Sequence, residues 1–233
     1  MAAAMEERSI RIPLQEPAGE FVEVFASELP DEAEDLLFLL REERAPLPIW
    51  LQVATEYYRQ RRLAQFEAIL DVASSTEIEA MYPGPEHKLP KIQILNALAA
   101  LRVQSGARET DKAKIGALQK DIVKLFERAD RMDQMVEATW VTKGVNFLVS
   151  HSRLDDASQQ FDNALDSSQT NLPAILGKAC VHYHQGDFRK ALARFSAAIT
   201  LHPHASNGAS VRVGLGICWL KLGNSALVSL EPL

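Results

Sequence analysis

Cysteine is scarce in this chain. Its 233 residues hold two, Cys180 and Cys218, both inside expected helices. They make no disulfide framework and read as buried thiols in a reducing compartment. Long apolar runs are also missing: no uncharged apolar stretch reaches about 18 residues, so no membrane span is expected. The start, Met1-Ala2-Ala3-Ala4-Met5-Glu6-Glu7-Arg8, has no basic segment followed by an apolar one, so no signal peptide is expected. Basic charge is not in excess. Lys and Arg number 25 against 31 Asp and Glu, a formal net of −6, which leaves no global electrostatic footprint for nucleic acid. Catalytic signatures are missing as well. No G-x-S-x-G or H-E-x-x-H occurs, and Gly214-x-Gly216 lies inside a helical pattern with no third glycine. His182 and His184 stand two apart on one helix and face different sides. His202-Pro203-His204 has no carboxylate or thiolate at ligand spacing. The acidic run Asp31-Glu32-Ala33-Glu34-Asp35 reads as a helix start. No catalytic residue, metal ligand or cofactor is expected.

What the chain does have is apolar content of 47%, enough for a core in one or two domains, and a repeat. Ala191-Leu192-Ala193-Arg194-Phe195-Ser196-Ala197-Ala198 reads A-x3-F-x2-A, with Pro203 five residues on. Gly186-Asp187-Phe188 is a turn before it, and Ala179 lies on the preceding helix. Stepping back about 34 positions, the tetratricopeptide period, gives Ala157, Phe161 and Ala164. The spacing has a physical cause. Two antiparallel helices approach closely only where small residues occupy the crossing. A Phe then fills the wedge between successive pairs, and units that cannot bury their apolar faces alone must stack. The expected fold class is all-α, a right-handed α-solenoid of tetratricopeptide helix pairs with a short extended N-terminal arm.

Three segments are expected. Residues 1–28 form an extended arm in which Ser9–Leu14 and Phe21–Phe25 alternate apolar with polar as strands do, joined by a turn at 16–20. This is a short hairpin or an arm packed on something else. Residues 29–205 are helical and hold four repeats. A first helix runs to Leu40 with Asp31 as its cap. The first repeat places Trp50, Val53, Ala54 and Tyr57 on W-x2-L-[GA]-x2-Y positions, with Phe66, Leu70 and Ala73 on its second helix. A loop is expected at 81–90. The second repeat uses Leu95, Leu98 and Ala99, then Ile122, Phe126 and Ala129. Its connection is lengthened by charged residues 105–118, which extend a helix or form a solvated loop. The third and fourth repeats span about 138–171 and 172–205. Residues 206–233 read as the first helix of a truncated fifth repeat and an aberrant tail, so Leu215, Trp219 and Leu222 should expose apolar surface.

In such repeats the first helices line a concave face. By resemblance to tetratricopeptide proteins, its positions here include Leu51, Tyr58, Val103, Val149, Leu176 and Tyr183. That set is apolar and aromatic, suited to an apolar segment or helix of a protein partner. The competing reading is that the arm or later repeats cover it.

Beyond the repeats, Ser9–Leu14, Glu28-Leu29-Pro30, Pro48–Leu51 and Ala54–Gln60 resemble the start of the large tetratricopeptide subunit of the Paf complex, the RNA-polymerase-II-associated elongation assembly. Asn171–Ala179 and Val211–Cys218 extend the resemblance, which runs from about residue 9 to 222. It implies a nuclear, non-enzymatic scaffold that binds the other Paf-complex subunits. Through them it would meet RNA polymerase II and chromatin and support co-transcriptional histone modification, with no sequence-specific nucleic-acid contact and no membrane. Against the family's many repeats and charged C-terminal region, the chain reads as truncated, its tail as the product of an altered frame or splice. The alternative is a co-chaperone adaptor that grips an acidic C-terminus. Its carboxylate clamp would fall on Thr142, Asn146, Gly177, Ser210 and Gly214, where only Asn146 fits and the required cations are missing.

Overall fold

The computed structural model describes residues 8–16, 19–150, 153–203 and 209–223. Two antiparallel strands, β1 (Ser9–Pro13) and β2 (Phe21–Phe25), open the chain. Among the described residues eleven helices follow: α1 (Glu34–Glu42), α2 (Leu47–Arg59), α3 (Leu63–Ala73), α4 (Thr76–Met81), α5 (Lys88–Arg108), α6 (Lys112–Met132), α7 (Glu137–Val149), α8 (Leu154–Ser167), α9 (Leu172–His184), α10 (Phe188–Leu201) and α11 (Ala209–Lys221). They divide into two compact units, Met1–Arg102 with Lys120–Asp133, and Val103–Gln119 with Gln134–Leu233. The division falls inside α5 and α6, within the stretch 29–205 that the sequence pattern reads as one region.

In the first unit the hairpin buries one face. Ile10 and Ile12 are inside while Ser9, Arg11 and Pro13 face out, the period-2 alternation of a half-buried strand. The first helix starts later than expected. α1 begins at Glu34 with no side-chain cap, because Asp31 is engaged elsewhere. Its carboxylate takes a hydrogen bond from Arg62 (3.2 Å) and its carbonyl one from Gln65 (2.8 Å). The core of this unit is Trp50, Val53, Ala54, Tyr57, Ile69 and Leu70, drawn from α2 and α3. Its polar atoms are satisfied, as burial demands. The Trp50 indole (3.0 Å) and the Tyr82 hydroxyl (2.8 Å) both donate to the Ala45 carbonyl, and the Tyr57 hydroxyl donates to the Pro30 carbonyl at 3.0 Å. α4 is an additional short helix, capped by Ser75. The loop expected at 81–90 ends early. α5 starts at Lys88 and takes Pro90 into its first turn, where a missing N–H costs nothing. Arg102 then bridges Asp71 (2.7 Å) on α3 and Asp121 (3.4 Å) on α6.

In the second unit the charged stretch 105–118 is helix except at 109–111. The Glu109 carboxylate accepts from the N–H groups of Thr110 and Asp111, and Asp111 accepts from that of Ala113, so the turn and the start of α6 are capped locally. α7 to α10 form the two helix pairs expected at 138–171 and 172–205. Ala157, Phe161, Ala164, Ala191 and Ala198 are fully buried and Phe195 nearly so, whereas Pro203 is exposed. Asn171 caps α9 and Asp187 caps α10. Lys178 is buried on α9 and donates to Ser158 (2.7 Å) and Asp162 (2.8 Å) of α8, which gives its charge the partner burial requires.

The apolar surface of α11 is not the one expected. Val211, Leu215 and Cys218 are buried with Phe195, Trp219 is half-buried, and Val213, Ile217 and Leu220 are the exposed set. The 211/215/218 stripe follows helical spacing and meets α10. The exposed set lies on the flank of α11 turned from that contact. His204, Ser206-Asn207-Gly208 and the tail from residue 224 lie outside the described residues.

Candidate protein-binding surfaces

The expected groove residues fall into different environments. In the first unit, Leu51 lines a cleft of about 520 Å³ together with Ile10, Thr55, Glu56, Arg59 and Gln93. The hairpin supplies one wall, so the arm borders this surface. Glu56 is buried and paired with Arg59 and, at 3.9 Å, with Arg8. The cleft thus presents an apolar patch beside a neutralised carboxylate. Tyr58 follows on α2, 46% exposed, with its ring 5.2 Å from that of Phe66. It is a large apolar ring held by a neighbour and open on its other side, the arrangement of an interface anchor. A second cleft of about 350 Å³ lies where Pro13 and Phe21 of the hairpin meet Pro46, Pro48 and Ile49.

In the second unit Val103 departs from the groove reading. It is 3% exposed, so it packs inside and offers a partner no surface. Val149 is half-buried. Leu176 and Tyr183, with Cys180, pack against the cluster of Phe195, Leu215 and Cys218. The Tyr183 ring also meets Phe188 edge-on at 5.5 Å and His184 at 5.7 Å. The chain's own following helix therefore shares these side chains.

The repeat-defining residues Trp50, Ala54, Tyr57, Ala157, Phe161, Ala164, Ala179, Ala191, Phe195 and Ala198 are all buried. Their work is packing. A Cβ at Gly144 would stand 2.7 Å from the Phe161 ring, one at Gly177 closer still, and one at Gly214 2.8 Å from the Phe195 ring. The two phenylalanines thus occupy space left by glycines on adjoining helices, a device the Ala and Phe spacing alone does not reveal. The same packing engages two of the clamp positions. Gly177 and Gly214 face phenylalanines, Thr142 donates to the Ala138 carbonyl, and buried Asn146 takes a hydrogen bond from Gln119 at 3.2 Å.

Chemistry at the titratable groups is modest. Burial pushes the Cys180 and Cys218 thiols above their ordinary range, away from the thiolate that reactivity needs. Burial, then the Lys178 charge, lowers the pKa of His182. His202 meets the Thr170 carbonyl at 2.5 Å. Among the described residues no three metal-ligating side chains converge and no helix is long and apolar enough to cross a membrane.

Paired helices wedged by phenylalanine and offering exposed aromatic surface define a tetratricopeptide-type protein. Solved structures agree on the fold: a tetratricopeptide repeat protein from Parabacteroides merdae superposes with a TM-score of 0.55 at 16% identity, over 84% of this chain and 68% of that one. No family model matches the chain. Curated relatives are more specific. Protein CTR9 homolog of Arabidopsis thaliana is 36% identical over 215 residues, 92% of this chain. The RNA polymerase-associated protein CTR9 of Caenorhabditis elegans is 34% identical over 224 residues, 94% of this chain. Over the stretch it spans, the chain belongs to the CTR9 family. It spans 19% of the length of each of these relatives.

Proposed function

We propose that this chain is a non-enzymatic protein-interaction scaffold of the Paf transcription-elongation complex in the nucleus. It binds other Paf-complex subunits and, through them, supports RNA polymerase II elongation and co-transcriptional histone modification. The observation that carries this reading is the identity to CTR9 proteins along nearly the whole chain. The interface is assigned to the helix-pair surface that carries Leu51 and Tyr58, with Val149, Leu176 and Tyr183 as the corresponding surface of the second unit. Val103 drops out because it is buried. Of the two tyrosine anchors, Tyr58 is the exposed one, and Tyr183 is partly committed to its own core. The co-chaperone alternative loses support, since two of the five clamp positions, Gly177 and Gly214, are glycines set against phenylalanines and none of the five supplies a cation.

Affinity purification of the tagged chain from nuclear extract, followed by mass spectrometry, tests the reading. Recovery of Paf-complex subunits in stoichiometric amounts is expected. Recovery of heat-shock proteins alone would favour the adaptor, and recovery of neither would overturn the scaffold.

A further inference from the structure

The hairpin has two edges, and they are not alike. The Leu14 N–H donates to the Glu20 carbonyl at 3.0 Å and the Ala26 N–H to the Arg8 carbonyl at 2.8 Å. These bonds fix the phase of the ladder. In an antiparallel pair, residues alternate between bonding each other and turning N–H and C=O outward. With the register Ile10↔Val24 and Ile12↔Val22, the bonded pairs are 8/26, 10/24, 12/22 and 14/20. Phe21, Glu23 and Phe25 therefore present their backbone groups on the outer edge of β2, and Ser9, Arg11 and Pro13 do so on that of β1.

The β1 edge is blunted. Pro13 has no N–H to offer, and β1 is the strand that lies against α2. The β2 edge carries no proline. Its inward side chains are also incompletely covered: Val22 and Val24 are half-buried, where their partners Ile12 and Ile10 are 0% and 6% exposed. A third strand would complete that cover.

We propose that the outer edge of β2 docks an extended segment of a partner protein, which adds as a third strand and sets a Lys or Arg beside Glu23. Charge selects this occupant over a second copy of the chain. A twofold pairing of two β2 edges in full register would place Glu23 opposite Glu23 on one face, and like charges directly opposite are destabilising. Glu23 also has capacity left. The Ser9 hydroxyl (2.7 Å) and Arg11 (3.4 Å) both bond its Oε1, and Oε2 makes no hydrogen bond among the described residues. Hydrogen bonds from Ser9 and Arg11 hold its pKa below the ordinary carboxylate value, so it stays ionised. Strand addition takes affinity from the backbone and specificity from alternate side chains, and here the pattern is an aromatic, a carboxylate and an aromatic. This surface is distinct from the Leu51–Tyr58 surface, so its failure and that of the scaffold reading are separable.

The test is an NMR titration of the isotope-labelled chain with the blocked peptide Ser-Thr-Val-Lys-Val-Thr-Ser at millimolar concentration. The amides of Phe21, Glu23 and Phe25 should shift and gain protection from exchange. Replacing the central Lys of the peptide by Glu should weaken binding roughly fivefold to tenfold, and Glu23→Lys should reverse the preference. Glu23→Pro removes an outward N–H together with the carboxylate, leaves the backbone ladder bonds intact, and should abolish binding of the Lys and the Glu peptide alike. Because that variant could perturb the fold, a peptide N-methylated at its ladder amides is the second arm and should also fail with wild-type protein. Absence of any shift at β2, or equal binding of the N-methylated peptide, would overturn the proposal. So would concentration-dependent protection of β2 without peptide, which would assign the edge to a second copy.

Discussion

Phe161 occupies the space that a side chain at Gly177 would need. The ring comes from α8 and the glycine from α9, so α9 can approach only because the Cβ is missing. Gly144 of α7 stands in the same relation to the ring, at 2.7 Å. For Gly177→Ala two effects compete. Alanine favours the helix by about 1 kcal/mol, while overpacking a fixed ring costs about 1–3 kcal/mol. Clashing with the ring body, not a flexible tip, puts the cost at the upper end. A net loss of about 2 kcal/mol is expected, a fall in Tm of about 4–8 °C for a domain of this size. Circular dichroism melting checks it, and an unchanged Tm would mean that α8 and α9 pack elsewhere.

Arg62 joins the end of the arm to the first helix pair. It donates to the carbonyls of Leu29 (3.1 Å) and Pro30 and to the Asp31 carboxylate (3.2 Å), and lies 4.8 Å over the Tyr57 ring. A planar fork meets all of these together, and an ammonium cannot. Arg62→Ala should cost about 2 kcal/mol and speed amide exchange over residues 26–33. Arg62→Lys should restore less than half of the protection. Wild-type protection in either variant would show that the arm is held by other contacts.

His182 predicts a loss of stability in acid. Its folded pKa lies below the ordinary 6.5, first through burial and then through Lys178, with Asp187 opposing. Between the unfolded value and the lower folded one, the unfolded chain binds more protons, so stability falls as pH drops below about 6.5. Melting at about pH 7.5 and about pH 5.5 should give a smaller drop for His182→Gln than for wild type. An equal drop would assign the acid sensitivity to other groups.

Much of the second unit was legible because its constraint is local. A close helix crossing needs small residues at fixed spacing, so Ala157-x3-Phe161-x2-Ala164 and Ala191-x3-Phe195-x2-Ala198 mark α8 and α10 directly. The hairpin was legible for a similar reason, its alternation being a property of the strand itself. What failed depended on partners distant in sequence. Asp31 has the chemistry of a cap but is engaged by Arg62 and Gln65, more than 30 residues away. α4 is six residues long, too short to show a helical period. Val103 and the α11 stripe were misassigned because repeat position does not state which flank of a helix its neighbour covers. Gly177 and Gly214 drew attention only as clamp or loop positions and Gly144 not at all, although their lack of a Cβ seats the two phenylalanines.

The central claim is that this chain holds other Paf-complex subunits through the surface around Tyr58, and a reconstituted pull-down tests it most directly. The tagged chain and Tyr58→Asp, both checked for helicity, are mixed with the purified remaining subunits. Tyr58 is the suitable probe because it is 46% exposed, whereas a change at Tyr183 would also disturb the packing against Phe188. Losing a buried aromatic anchor costs about 2 kcal/mol or more, roughly thirtyfold in affinity. The wild type should therefore capture at least one subunit, and Tyr58→Asp should release it at concentrations where the wild type is saturated. Equal capture by the folded variant, or no capture by the wild type, would contradict the account.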